Sequence, residues 1–331
     1  MKHPISSFVL AVISVITIYS FSETFALQNQ PATARQAAAI LDFSEFPLIK
    51  PIDEASTQTV ARQTYRTNGT ITEIAEQLRA KLKEAGCEEL PGATFMDAYG
   101  SAVYQKDGFK ISLTLSPLGQ PNEIMVNFIN HGNVDLKELP VPAGGKEMYA
   151  LPSAIAYTHS GTVEETSAAY KDLLLEKGWE PFGETTVSFF VKKNAVILQV
   201  MVSASPQDNS ANVQINSELM SVDLPAPPYT GVLQYSETAG NILFDSEKSQ
   251  AELIEFFKSS LGELGWSATT ENPIKIGFRE HLIFRNPEKE YLELDFQTVE
   301  DKTRTRLKYQ TAKQFAEMEK RAQEKLRSKQ Q

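Results

Sequence analysis

Three stretches, EAGCEEL around Gly86, EKGWEPF around Gly178 and ELGWSAT around Gly265, close segments built to one plan. The glycines stand 92 and 87 residues apart, a period that marks tandem copies of one supersecondary unit. Sixteen residues before each glycine stands a hydroxyl residue, Thr70, Thr162 or Ser249, and three residues later a carboxylate, Glu73, Glu165 or Glu252. Ser/Thr-x-x-Glu is a capping box: the hydroxyl accepts from the backbone N–H three residues on, and the glutamate reaches back to the cap's own N–H. Apolar residues then recur at helical spacing, as Ile71, Ile74, Leu78 and Leu82, as Val163, Tyr170 and Leu174, and as Leu253, Phe257, Leu261 and Leu264. A glycine past the last helical residue supplies a left-handed backbone position. The residue after it swings back onto the helix, so Cys87, Trp179 and Trp266 are expected to meet Leu82, Leu174 and Leu261 in the core.

Each helix is preceded by a short extended run with an aromatic residue 21 positions before the glycine: Tyr65, Tyr157 and Phe244. Three strand-like runs follow each helix, with alternation plainest where Phe109, Ile111, Leu113 and Leu115 face one way and Lys110, Ser112 and Thr114 the other. A one-sided sheet beside a one-striped helix predicts an α+β, two-layer unit in the order β-α-β-β-β, repeated three times. Proline-bearing joints, VDLKELPVP before residue 143 and VDLPAPP before residue 229, divide the chain into residues 51–142, 143–227 and 228–310. Residues 27–50 read as a polar leader and residues 311–331 as a charged C-terminal helix with a thin stripe of Phe315, Met318, Ala322 and Leu326.

Residues 1–26 carry the marks of an export signal: Lys2 and His3, an apolar run over residues 8–21, and Thr24-Phe25-Ala26 as a small-x-small cleavage site. The run is shorter than the ~20 residues a membrane-crossing helix needs. The expectation is therefore an exported chain, periplasmic or extracellular, with no stable membrane span after cleavage. The lone Cys87 offers no internal disulfide, so the units must rest on apolar cores, for which 41% hydrophobic content suffices. A net charge of −10 opposes sequence-independent nucleic-acid binding, which needs clustered Lys and Arg.

Chemistry is sparse. His131, His159 and His281 lack a second His or Cys at metal-ligand spacing, and no phosphate loop, dinucleotide fingerprint, zinc-protease helix or nucleophile elbow occurs, so no catalytic, cofactor or metal residue is assigned. Arg304, Arg306 and Lys308 alternate along the last strand and share one sheet face, a candidate anion-binding strip. Cross-strand ion pairing is the alternative: with Asp301-Lys302 as the tight loop, Asp295 falls opposite Lys308 and Gln297 opposite Arg306.

The export signal, the LDFSEFP entry, the HGNVDL joint and the thrice-used Gly-Trp stop resemble a group of secreted bacterial repeat proteins with no assigned activity. The one-helix, three-strand order is more loosely similar to PASTA modules, which bind cell-wall fragments; the present copies are longer. The expectation is a non-catalytic binding or scaffold protein of the cell envelope that presents repeat surfaces to a protein, peptide or glycan. The alternative is a hydrolase or other enzyme with its site between units, marked by His159 or His281 lying in a pocket within reach of a carboxylate and a hydroxyl.

Overall fold

The computed structural model describes residues 30–206, 210–277 and 279–328; the export-signal reading of residues 1–26 lies outside them. Helix α1 (Ala34–Ile40) comes first. Unit 1 follows with β1 (Thr57–Gln58), β2 (Arg62–Asn68), α2 (Ile71–Glu84), β3 (Glu88–Glu89), β4 (Thr94–Met96), β5 (Tyr99–Lys106), β6 (Phe109–Pro117) and β7 (Glu123–Asn130). Unit 2 holds β8 (Lys146–Leu151), β9 (Ala154–His159), α3 (Val163–Glu176), β10 (Glu180–Glu184), β11 (Ser188–Lys193), β12 (Val196–Ala204) and β13 (Ala211–Leu219). Unit 3 holds β14 (Leu233–Ser236), β15 (Asn241–Ser246), α4 (Gln250–Glu263), β16 (Ser267–Ala268), β17 (Ile274–Ile276), β18 (Arg279–Arg285), β19 (Tyr291–Val299) and β20 (Lys302–Gln310), before the terminal α5 (Ala312–Ser328).

Each unit is an antiparallel sheet with one strand order, β1-β2-β7-β6-β5-β3, β8-β9-β13-β12-β11-β10 and β14-β15-β20-β19-β18-β16. The four central strands of each are those read from the sequence. Outer strands leave little mark in the sequence: β1, β3 and β16 are two residues long, β14 is four, β8 is mostly exposed, and β10 carries Pro181 and Gly183.

All three helices end alike. Gly86, Gly178 and Gly265 sit at φ +83°, +78° and +86°. The following N–H donates to the carbonyl five residues back, Cys87 to Leu82 at 2.9 Å, Trp179 to Leu174 at 3.1 Å and Trp266 to Leu261 at 2.9 Å. This satisfies a helix-end carbonyl and folds Cys87, Trp179 and Trp266 into the core, where all three are buried. Leu264 departs from the expected stripe: it is the C-cap residue of α4 and is exposed. At the other end, Thr162 with Glu165 and Ser249 with Glu252 form complete capping boxes. In unit 1 Thr70 accepts from the Glu73 N–H, while the Glu73 carboxylate pairs with Lys50.

The leader is not polar throughout: within residues 30–50 Ala32, Ala34, Ala37, Leu41, Phe43 and Phe46 are buried, and Thr33 with Gln36 forms a capping box of its own. The segment ties the joints together. The Ala195 N–H donates to the Ala32 carbonyl at 3.0 Å, the Ala32 N–H to Asn133 Oδ1 at 2.8 Å, and the Ala34 N–H to the Asp223 carboxylate at 3.1 Å. Phe43 stacks on Phe128 with ring centres 5.0 Å apart, inside the unit 1 core. The apolar cores of units 2 and 3 run into one another, and Ala61 and Phe109 of unit 1 belong to that shared cluster.

The register of β19 on β20 is a correction. Glu300, at φ +57°, and Asp301 make the two-residue turn, which places Asp295 opposite Arg306, Gln297 opposite Arg304 and Glu293 opposite Lys308. Among the described residues no helix is long and apolar enough to cross a membrane.

Candidate functional site

Side chains alternate along a strand, so the rows that pack on α3 leave a second row on the opposite face of sheet 2. Phe190 on β11 pairs with Gln199 on β12, and Gln199 with Asn216 on β13; Ile197 and Glu218 form the next row on that face. The outer face of sheet 1 presents Arg62, Ile129 and Ser112 by the same rule, with Arg62 opposite Ile129 and Ile129 opposite Ser112. These two faces, together with residues 232–235 from the start of unit 3, enclose a cavity of about 510 Å³. All three units line it, as they also line, with the leader, a more open hollow of about 590 Å³ around Val60, Asp223 and Trp266.

The charges in this cleft are matched internally. Arg62 Nη2 lies 3.3 Å from Glu218 Oε1, and Arg62 Nη1 donates to the Thr238 hydroxyl at 3.2 Å. The Arg62 Nε–H is buried without a protein partner. His131 donates from Nδ1 to the Ser217 carbonyl at 2.8 Å and accepts at Nε2 from the Ser112 hydroxyl at 2.9 Å, bridging units 1 and 2. Burial lowers the His131 pKa below its ordinary 6.5, against the pull of the Ser217 carbonyl, and Arg62 lowers it further. Glu218 is pushed up from 4.5, mainly by burial.

Behind Tyr235, which lines the cleft, sits the buried carboxylate of Glu237. It accepts from the hydroxyls of Tyr235, Ser221 and Thr59, the last at 2.9 Å, and from the Ser221 N–H at 3.2 Å. Ser221 Oγ accepts in turn from the Ala61 N–H at 2.9 Å. One carboxylate therefore binds unit 1, the second joint and unit 3. Burial, and Glu237 beside it, drive the Tyr235 phenol well above its usual range.

The residues singled out in the sequence lie elsewhere. Arg304 makes a double contact with Asp245 at 2.7 and 2.9 Å, and Arg306 shares the buried Asp295 with Arg279. Two guanidinium groups of the strip thus meet carboxylates on neighbouring strands. Lys308 faces a separate hollow of about 370 Å³ with Glu237, Gln314 and Glu317. His159 bonds the Ala143 carbonyl and the Thr166 hydroxyl, each at 3.0 Å, at the start of α3. His281 is buried, with Nδ1 2.7 Å from Glu293. Neither pairs a carboxylate and a hydroxyl in a pocket. Cys87 is buried, and burial raises its pKa, the opposite of what a thiolate nucleophile needs. Among the described residues no group of three His, Cys, Asp or Glu is placed to hold a metal.

No protein-family model matches the chain, and no curated protein is significantly similar to it.

The cleft predicts a pH profile. The unfolded chain takes up a proton at His131 near pH 6.5, before the folded one does, so stability is full above that value and falls as pH drops through it toward the lower folded value. Glu218 acts oppositely: its folded pKa is raised, so the folded state binds the proton first, and stability is gained as pH falls through that raised value toward 4.5. Urea titrations between pH 4.5 and 7.5 should show His131→Gln with a flatter acid decline than the wild type and Glu218→Gln with a steeper one. Parallel profiles for all three proteins would contradict the assignment.

Proposed function

We propose that this is an exported binding protein of the cell envelope, whose three units act as one body to hold a ligand in the cleft between sheets 1 and 2 and the first strand of unit 3. Export rests on the sequence of residues 1–26. The observation that carries the binding reading is the cleft itself, a hollow of about 510 Å³ walled by all three repeats, within the size range of small-ligand sites. Its lining mixes apolar surface, Phe182, Phe190, Ile197 and Leu233, with a few polar groups, the composition that fixes a ligand's orientation. His131, Glu218 and the hydroxyls of Ser153, Ser217 and Thr185 line it, but both ring nitrogens of His131 are spent on bridging units 1 and 2 and the Glu218 carboxylate is paired with Arg62, which favours binding over hydrolysis.

The test is a ligand-observed NMR screen of small polar compounds against the full mature chain and against Asn216→Trp, whose indole would fill the cleft from the middle of β13. Compounds that bind the wild type should lose their signal with the filled variant. Hits that bind both proteins equally would place the ligand site elsewhere. Protein recovered from the exported fraction should begin near Leu27; an intact Met1 would remove the envelope from the proposal.

A further inference from the structure

We propose that the cleft takes a neutral, hydroxyl-rich ring, a short saccharide, a choice of ligand class that rests on the cleft being the ligand site. The first ground is the floor. Phe190, Gln199 and Asn216 stand side by side on three adjacent strands, and neighbouring strands lie about 4.8 Å apart, so the row is about 10 Å long. One end is a half-buried aromatic ring; the rest is carboxamide. Gln214 donates to Asn216 Oδ1 at 3.1 Å, which orients that amide and leaves its N–H₂ group for a ligand. The amides of Gln199 and of Gln234, on the facing wall, have no hydrogen-bond partner among the described residues.

A carboxamide presents a donor and an acceptor side by side, and a sugar hydroxyl is both at once. The C–H face of a pyranose suits an aromatic ring beside such amides. Charge supplies the second ground. Arg62 and Glu218 face one another and His131 is occupied at both nitrogens, so no unmatched ion is left to anchor a carboxylate, a phosphate or an ammonium. The third ground is shape. The floor is the face of a sheet, whose backbone N–H and C=O groups are already paired along β11, β12 and β13, so an extended peptide finds no strand edge there to add to.

The experiment uses the full mature chain and saturation-transfer NMR with cellobiose, maltose and N,N′-diacetylchitobiose, set against digalacturonic acid and trialanine. At least one neutral disaccharide should bind, with digalacturonic acid weaker, and Gln199→Ala and Phe190→Ala should each weaken binding about tenfold, the loss of one good contact. Gln234→Ala, on the exposed wall, gives the same reading should a floor variant unfold. If trialanine or digalacturonic acid binds instead, and Asn216→Trp abolishes it, the saccharide class falls while the cleft stands as the site. Disaccharide binding indifferent to every variant would remove the cleft itself, and silence from all three neutral sugars would overturn the saccharide assignment.

Discussion

Trp179→Ala should destabilise the protein by about 3–5 kcal/mol, the usual cost of truncating a large buried aromatic side chain, whereas Cys87→Ala at the equivalent place in unit 1 should cost about 1 kcal/mol. The backbone device is the same at both sites: a glycine at positive φ followed by an N–H that returns to the carbonyl five residues back. What differs is the plug. Trp179 belongs to the continuous core of units 2 and 3, alongside Leu174, so its loss opens a cavity in a cluster that two units share. Cys87 lies in the separate core of unit 1, and its removal deletes little more than a sulfur. Urea denaturation followed by tryptophan-independent circular dichroism reads both. Trp179→Phe should recover most of the loss. Equal costs for Cys87→Ala and Trp179→Ala would mean that the residue after the glycine is only a turn element and fills no core.

That contrast shows why so much of the fold was legible. A cap, a 3.6-residue stripe, a glycine stop and alternating strands are local patterns, and each is dictated by backbone sterics or one-sided burial within a dozen residues. Repetition made them readable, since a weak signal seen three times at one offset is a strong one. The outer strands failed the same criteria, being short or exposed. The leader failed for a different reason. Ala32, Ala34 and Ala37 carry too little apolar surface to announce burial, and they are covered because Asn133 and Asp223 beside the two joints and Ala195 in the β11–β12 turn come to meet them. Its capping box, Thr33-x-x-Gln36, is nonetheless a local pattern from which the helix could have been found.

The cleft was less legible, and for a physical reason. Alternation tells which side chains leave the helix-facing side of each sheet, but not which of those faces will meet. Phe190, Gln199 and Asn216 read as the solvated side of ordinary strands. Their role as a floor comes from sheet 1 standing over them and residues 232–235 closing the side. His131 was visible at the first joint, yet its two partners, Ser112 and Ser217, lie 19 and 86 residues away. The strip of Arg304, Arg306 and Lys308 misled in the opposite sense: its periodicity was real, but cross-strand carboxylates take up both arginines.

Glu237 had no local signal at all, and its replacement should have an effect comparable to that of Trp179. Glu237→Ala strips a common acceptor from the hydroxyls of Thr59, Ser221 and Tyr235 and from the Ser221 N–H, leaving buried donors unsatisfied at about 1–3 kcal/mol each. Some of these rotate toward other acceptors, so the expected net loss is about 3–5 kcal/mol. Glu237→Gln keeps the shape and one carbonyl oxygen and should cost about 1–2 kcal/mol. The distribution of the damage is the sharper readout. Because Ser221 Oγ also holds the Ala61 N–H, hydrogen exchange in Glu237→Ala should accelerate at the amides of Ala61 and Ser221, on the seams between units. Amides inside α2, whose core is separate, should keep their protection. A uniform loss across all three sheets, or seam amides as protected as in the wild type, would show that the units are held together by their apolar contacts and not by this carboxylate.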